Sequence, residues 1–154
     1  MPDRKSLTGR TSAWNLDEIE RYLSTTTVPM RLACNTARGY PLLNSLWYEY
    51  RDGFLCCAMH EDAAVIRHLE RDPRCAFEVA PNDPPYCGVR GQGHAELLRE
   101  GAAETLERLI ARYLGDSSPR LAAWLLGRAQ EEYLVRIRPE WLTAWDYRSR
   151  MQAT

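Results

Sequence analysis

The chain has no surplus of either charge. Its 20 basic and 21 acidic residues leave a formal net charge of −1 over 154 residues and are scattered along its length. That excludes the concentrated field of one sign that a nucleic-acid backbone or an anionic membrane surface calls for. No apolar run approaches the roughly 18 residues a spanning helix requires, and Met1 to Trp14 is polar, without a signal peptide's apolar segment. The expected compartment is the cytoplasm, and the expected partners are a small-molecule substrate and a second copy of the chain. Paired cysteine spacing is missing too: the five cysteines are an odd number without a C-x-x-C pair, and the neighbours Cys56 and Cys57 on one strand point to opposite faces. No disulfide framework follows. His60, His68 and His94 stand at no zinc-ligand spacing with Cys34, Cys56, Cys57, Cys75 or Cys87, so no metal is expected and the thiols read as small buried hydrophobes. Nucleotide and hydrolase signatures are lacking as well. GVRGQG, residues 88–93, is G-x-x-G-x-G inside a strand, not a dinucleotide turn, and neither a phosphate-loop lysine motif nor G-x-S-x-G occurs.

What is present is a run of short β segments with helices between them. The length suits one domain that buries roughly 68–70% of its unfolded surface; residues 1–13 lack periodicity and are expected to be a disordered lead-in to a domain over 14–150. Asn15 can cap a helix whose apolar stripe is Leu16, Ile19, Tyr22 and Leu23. From Val28 the period becomes two, with Met30, Leu32 and Cys34 on one face, and Arg38-Gly39 turns the chain. Tyr40 to Tyr50 reads as one long strand, and Asp52-Gly53 turns it into a third at Phe54 to Met59, in meander order. A helix is expected from Asp62 to Arg71 with Val65, Ile66 and Leu69 inward, stopped by Asp72-Pro73. A strand from Arg74 follows, then one from Tyr86 to Leu98. Gly88, Gly91 and Gly93 predict that this strand bends or admits a close neighbour. Helices over Glu100 to Leu114 and Ser118 to Gly127 precede two last strands, Glu132 to Arg138 and Trp141 to Tyr147. The sum is about seven antiparallel strands and about four flanking helices: mainly β with helices (α+β), better suited to a small closed barrel than to a doubly wound sheet. Trp47, Tyr48, Tyr50, Trp141 and Trp145 on strands are more aromatic surface than one small core hides, which points to a two-fold homodimer.

In order, the SLWY of Ser45 to Tyr48, VIRHLERDPR from Val65, VRGQGHAEL from Val89 and RIRPEWLTAWDY from Arg136 resemble the pyridoxamine 5'-phosphate oxidase-like proteins over Leu16 to Tyr147. That resemblance implies a split β-barrel that dimerises and holds FMN, or in some branches a deazaflavin or haem, in grooves between subunits, and an oxidoreductase acting on a small planar substrate. It places Arg31, Leu32, Ala33, Asn44, Ser45, Leu46 and Trp47 along the isoalloxazine ring. Met59 and His60 then face the ribityl phosphate, Arg90 lies on the partner-facing strand, and Trp145 reaches across the interface. The family's phosphate cation falls at Ala64 or Val65 in this chain, beside Glu61 and Asp62, which leaves Arg67 or Arg31 to replace it. Two other readings use the same groove: a binding module for haem or another ligand, with His60 or His94 as axial ligand, and a cofactor-free enzyme. No residue is set apart as catalytic.

Overall fold

The computed structural model describes residues 7–152. Helix α1 (Leu16–Thr25) opens on a reciprocal cap: the Asn15 side chain accepts from the Glu18 N–H at 2.9 Å, and the Glu18 carboxylate accepts from the Asn15 N–H at 2.8 Å. Its buried stripe is Ile19 and Leu23. Seven strands follow: β1 (Met30–Asn35), β2 (Pro41–Leu46), β3 (Glu49–Arg51), β4 (Phe54–His60), β5 (Arg74–Val79), β6 (Cys87–Leu98) and β7 (Glu132–Asp146), with helix α2 (Ala64–Arg71) between β4 and β5. Helices α3 (Ala102–Tyr113) and α4 (Pro119–Leu126) lie between β6 and β7, and α5 (Arg148–Met151) ends the described chain. All strand pairs are antiparallel, in the order β2-β1-β5-β6-β7-β4-β3.

That order corrects the expected meander. The strand anticipated over Tyr40 to Tyr50 is broken at Trp47 and Tyr48, and its halves stand at opposite edges of the sheet. Two residues cannot join the two edges of a flat seven-stranded sheet, so the sheet curls until its edges meet; hydrogen bonds do not close the ring, and a split barrel results. The break has a cause in side-chain packing. Tyr48 is fully buried and its hydroxyl donates to the Leu23 carbonyl at 2.8 Å, while Trp47 stacks on Tyr113 of α3, centroids 5.3 Å apart. Arg112 of α3 donates to the Ser24 carbonyl at 2.9 Å and to that of Thr26, supplying the cation that the C-terminus of α1 lacks.

Three further boundaries differ from expectation. The two strands anticipated at the end of the chain are one, because a β-bulge takes Pro139 in stride: Gln92 pairs with Trp141 and Gly93 with Pro139, which leaves Glu140 as the extra residue. Helix α2 starts at Ala64, not Asp62, because the chain turns first, the Ala63 N–H donating to the His60 carbonyl at 3.0 Å, and Ala63 itself is extended (φ −63°, ψ 135°). Of the lead-in expected to be disordered over 1–13, residues 1–6 lie outside the described residues, whereas Leu7 to Ala13 run along β7. There Gly9 donates to the Leu142 carbonyl and Leu142 to that of Leu7, both at 2.8 Å, and Ala13 to that of Ala144 at 2.9 Å. The physical reason is an unpaired edge: β4 covers β7 only as far as Ile137, and the lead-in satisfies backbone groups beyond it.

Candidate functional site

Along β1, Met30, Leu32 and Cys34 point into the core, so Arg31 and Ala33 point outward. The ladder carries that outward face across five strands in two rows. One row is Ser45, Arg31, Glu78, Arg90 and Thr143; the next is Leu43, Ala33, Ala76, Gln92 and Trp141. In the second row Ala33 and Ala76 are small, Gln92 is longer and polar, and the ends are large and apolar. Leu43 is 67% exposed and Trp141 38%, and between them lies a groove of about 350 Å³ with Ala33, Ala76 and Gly91 in its floor and Arg31 and Arg90 beside it. At the ordinary strand spacing the floor from Ala33 to Gln92 is roughly 10 Å across, wide enough for a flat fused-ring system. Arg90 lies over the Trp145 ring, 5.2 Å from its centroid, and Gly88 makes room for that indole: a Cβ there would come within 2.6 Å of it.

The residues expected at the site are therefore distributed. Arg31, Ala33, Ser45, Arg90 and Trp145 share the outward face. Leu32 is fully buried in the core; Asn44 and Leu46 alternate with Ser45, and so face the other way. Trp47 is engaged with Tyr113 at the barrel corner. Met59, His60 and Arg67 lie elsewhere, at the start of α2. Met59 is buried; His60 accepts from the Asp62 N–H on Nδ1 and meets a Glu131 carboxylate oxygen at 2.8 Å on Nε2, and Arg67 reaches the Asp62 carbonyl at 3.4 Å. Ala63 caps this helix without any side-chain hydrogen bond. Val65, where the resemblance called for a cation, is 2% exposed and packs in the core. The acidic residues there are partly answered: Arg99 pairs with Glu61 at 2.6 Å and lies over the Tyr133 ring.

Sequence reading missed Leu43, Ala76, Gln92 and Trp141 as groove residues. Their signal was available in part, as outward positions of alternating strands, but the row they form depends on a strand order that the alternation does not contain. A second recess of about 390 Å³ adjoins the groove and shares Ala33, Ala76 and Gln92 with it. A third cavity, about 520 Å³ between α1, the Gly53 turn and Pro139, holds none of the expected site residues.

No family model matches the chain, and no curated protein does. Solved structures do. The conserved hypothetical protein Rv2991 from Mycobacterium tuberculosis is 24% identical with a TM-score of 0.74, over 94% of this chain and 92% of its own. An F420 reductase is 19% identical with a TM-score of 0.66, over 80% and 94%. A provisionally assigned pyridoxamine 5'-phosphate oxidase from Listeria innocua is 16% identical with a TM-score of 0.63, over 83% and 95%. FAD-binding and haem storage proteins share the fold as well. The chain thus has the split-barrel fold of the pyridoxamine 5'-phosphate oxidase-like proteins.

Proposed function

We propose that the outward groove binds a flavin, FMN before a deazaflavin, and that the protein is a homodimeric oxidoreductase acting on a small planar substrate. The observation that carries this reading is the alanine and glycine floor between Leu43 and Trp141, with Arg31 and Arg90 alongside. A flat ring fits the floor, and the guanidinium groups suit the anionic end of such a ligand. The F420 reductase and FAD-binding proteins of the same fold support it. When bound, the flavin supplies hydride transfer. The chain's own contribution is placement: small residues admit the ring, Arg31 and Arg90 offer charge-assisted donors, and Leu43 and Trp141 exclude water once a second subunit covers the face. A haem storage protein of the same fold favours the haem alternative, which needs a free imidazole nitrogen; both of those on His60 are already engaged, which leaves His94 as the axial ligand for that alternative.

FMN titration followed by flavin fluorescence quenching tests the reading. Micromolar or tighter binding that weakens with salt, and a several-fold loss in Arg90→Gln, is the expected result. Absence of binding by FMN and by a deazaflavin alike would refute the assignment.

A further inference from the structure

Two of the five thiols stand opposite each other on neighbouring strands. Cys34 of β1 pairs with Cys75 of β5, and both belong to the core, 2% and 7% exposed. The neighbouring ladder fixes the kind of pairing. On the β6 side the Pro73 carbonyl accepts from the Ala95 N–H at 2.8 Å, in the register that sets Cys75 against Gly93. Along an antiparallel ladder, pairs that exchange backbone hydrogen bonds alternate with pairs that do not, so Cys75, two residues on from Pro73, turns its backbone bonds toward Gly93. Toward β1 it therefore forms a non-hydrogen-bonded pair with Cys34, the closer kind, with Cα atoms about 4.5 Å apart. A disulfide spans Cα separations of roughly 4.4–6.8 Å, so these two sulfurs can be joined with little movement of either strand. The other three thiols lack such a partner: Cys56, Cys57 and Cys87 stand opposite Arg136, Val135 and Asp146 on β7. Both Cys34 and Cys75 also line the recess of about 390 Å³ beside the groove, which gives a small oxidant a way in. Burial, then Cys34 and Glu140, pushes Cys75 up to about 12; burial raises Cys34 as well, but the Arg71 guanidinium opposes the rise. Cys34 is thus the sulfur that ionises first.

We propose that Cys34 and Cys75 are a reversible oxidation site, closed into a cross-strand disulfide by hydrogen peroxide, and that the bond acts on the groove from behind. In the first step the Cys34 thiolate attacks one peroxide oxygen: an S–O bond forms, the O–O bond breaks, and the departing hydroxide takes up the Cys34 proton as water. In the second the Cys75 sulfur attacks the Cys34 sulfur, so that an S–S bond forms and the S–O bond breaks, and the released hydroxide takes up the Cys75 proton as a second water. Two thiols are oxidised and one peroxide is reduced. A dithiol reductant reverses the bond by exchange. The action on the groove follows from adjacency. Ala33 and Ala76, one residue along each strand from the cysteines, are cross-strand partners and lie in the groove floor. A bond that ties β1 to β5 on the core face therefore shifts the floor on the outward face, because a close-packed sheet passes strain on. This second part rests on the flavin reading of the groove.

Two measurements test the bond and its action separately. Reduced wild-type protein is exposed to hydrogen peroxide, quenched with excess alkylating agent in denaturant and mapped by peptide mass spectrometry. A Cys34–Cys75 linked peptide should appear and vanish on treatment with dithiothreitol, while Cys56, Cys57 and Cys87 are recovered alkylated. Full alkylation of Cys34 and Cys75, their oxidation to sulfinic or sulfonic acid without linkage, or a link from either to another cysteine would overturn the site. No variant has to fold for that result. FMN titration of the reduced and the peroxide-treated protein reads the action on the groove: affinity should differ several-fold between the two forms of wild type, and the same treatment should leave the affinity of Cys34→Ala unchanged. Equal affinities in wild type, or the same change in Cys34→Ala, would overturn the coupling. Absence of flavin binding in both forms would overturn the groove reading and the coupling with it, whereas the linked peptide decides the bond by itself.

Discussion

At the scale of single residues, burial decides which substitutions can inform. Val65 packs with Ile66 and Leu69 in the core, so Val65→Lys would not offer a cation to a phosphate. It would bury one, at a cost of roughly 3 kcal/mol or more, read as a lower urea midpoint. Ala64 is exposed, and Ala64→Lys should leave the midpoint within about 1 kcal/mol. If the phosphate lies at the start of α2, that variant should also tighten FMN by about 1 kcal/mol; unchanged affinity would place the phosphate elsewhere. The thiols make a second case. Burial, with the Glu49 charge behind it, pushes Cys56 up to about 11, and burial, then Cys34, pushes Cys75 up to about 12. Each folded value is above the unfolded one, so their contribution to stability is complete below the ordinary thiol range and is lost as pH rises through the folded values. The urea midpoint should fall as pH climbs from about 9 toward 11, and Cys56→Ala should flatten that fall. A midpoint that rises over this range would contradict the account.

Among the elements, β6 is the strand whose composition most constrains its neighbours. A Cβ on Gly91 would meet the Trp141 carbonyl and come within 2.7 Å of the Phe77 ring. Neither can yield cheaply: one is backbone, and the other is 3% exposed in the core. Gly91→Val should therefore cost well over 2 kcal/mol or abolish folding, with flavin content lost alongside. A variant with the parent's melting temperature and ligand content would show the glycine to be incidental. Trp47 and Tyr48 illustrate the opposite relation between sequence and element. Their residue types favour strand continuation, yet contacts to α1 and α3 turn them into the corner between β2 and β3.

For the whole molecule the open question is what covers the outward face. Of the five aromatics that suggested a dimer, Trp47 and Tyr48 are spent within the subunit, and Trp141 remains on the groove rim, across the groove from Leu43. Light scattering at micromolar concentration should give a dimer. Leu43→Asp should shift it toward monomer and weaken FMN binding together, because the same face serves both. A monomeric wild type would remove the shared-groove arrangement. No described helix is long and apolar enough to cross a membrane.

Local pattern by itself determined most of the β and helical segments, where α1 and α4 begin, and that one strand would bend or admit a close neighbour at its glycines. These follow from period, caps and steric exclusion, all of which act within a few residues of chain. The order of motifs further matched the split-barrel family, and with it came several residues of the outward face. Only the tertiary structure decided that β2 and β3 part to opposite edges, that β7 is one bulged strand, and that Arg31, Arg90 and Trp145 share a face while Leu32 does not contribute its side chain to it. Those facts depend on which strand lies beside which, and strand order is set by packing between residues distant in sequence, such as Tyr48 with Leu23 and Trp47 with Tyr113. A periodicity of two says that a side chain points to one face or the other; it does not say what stands on the next strand.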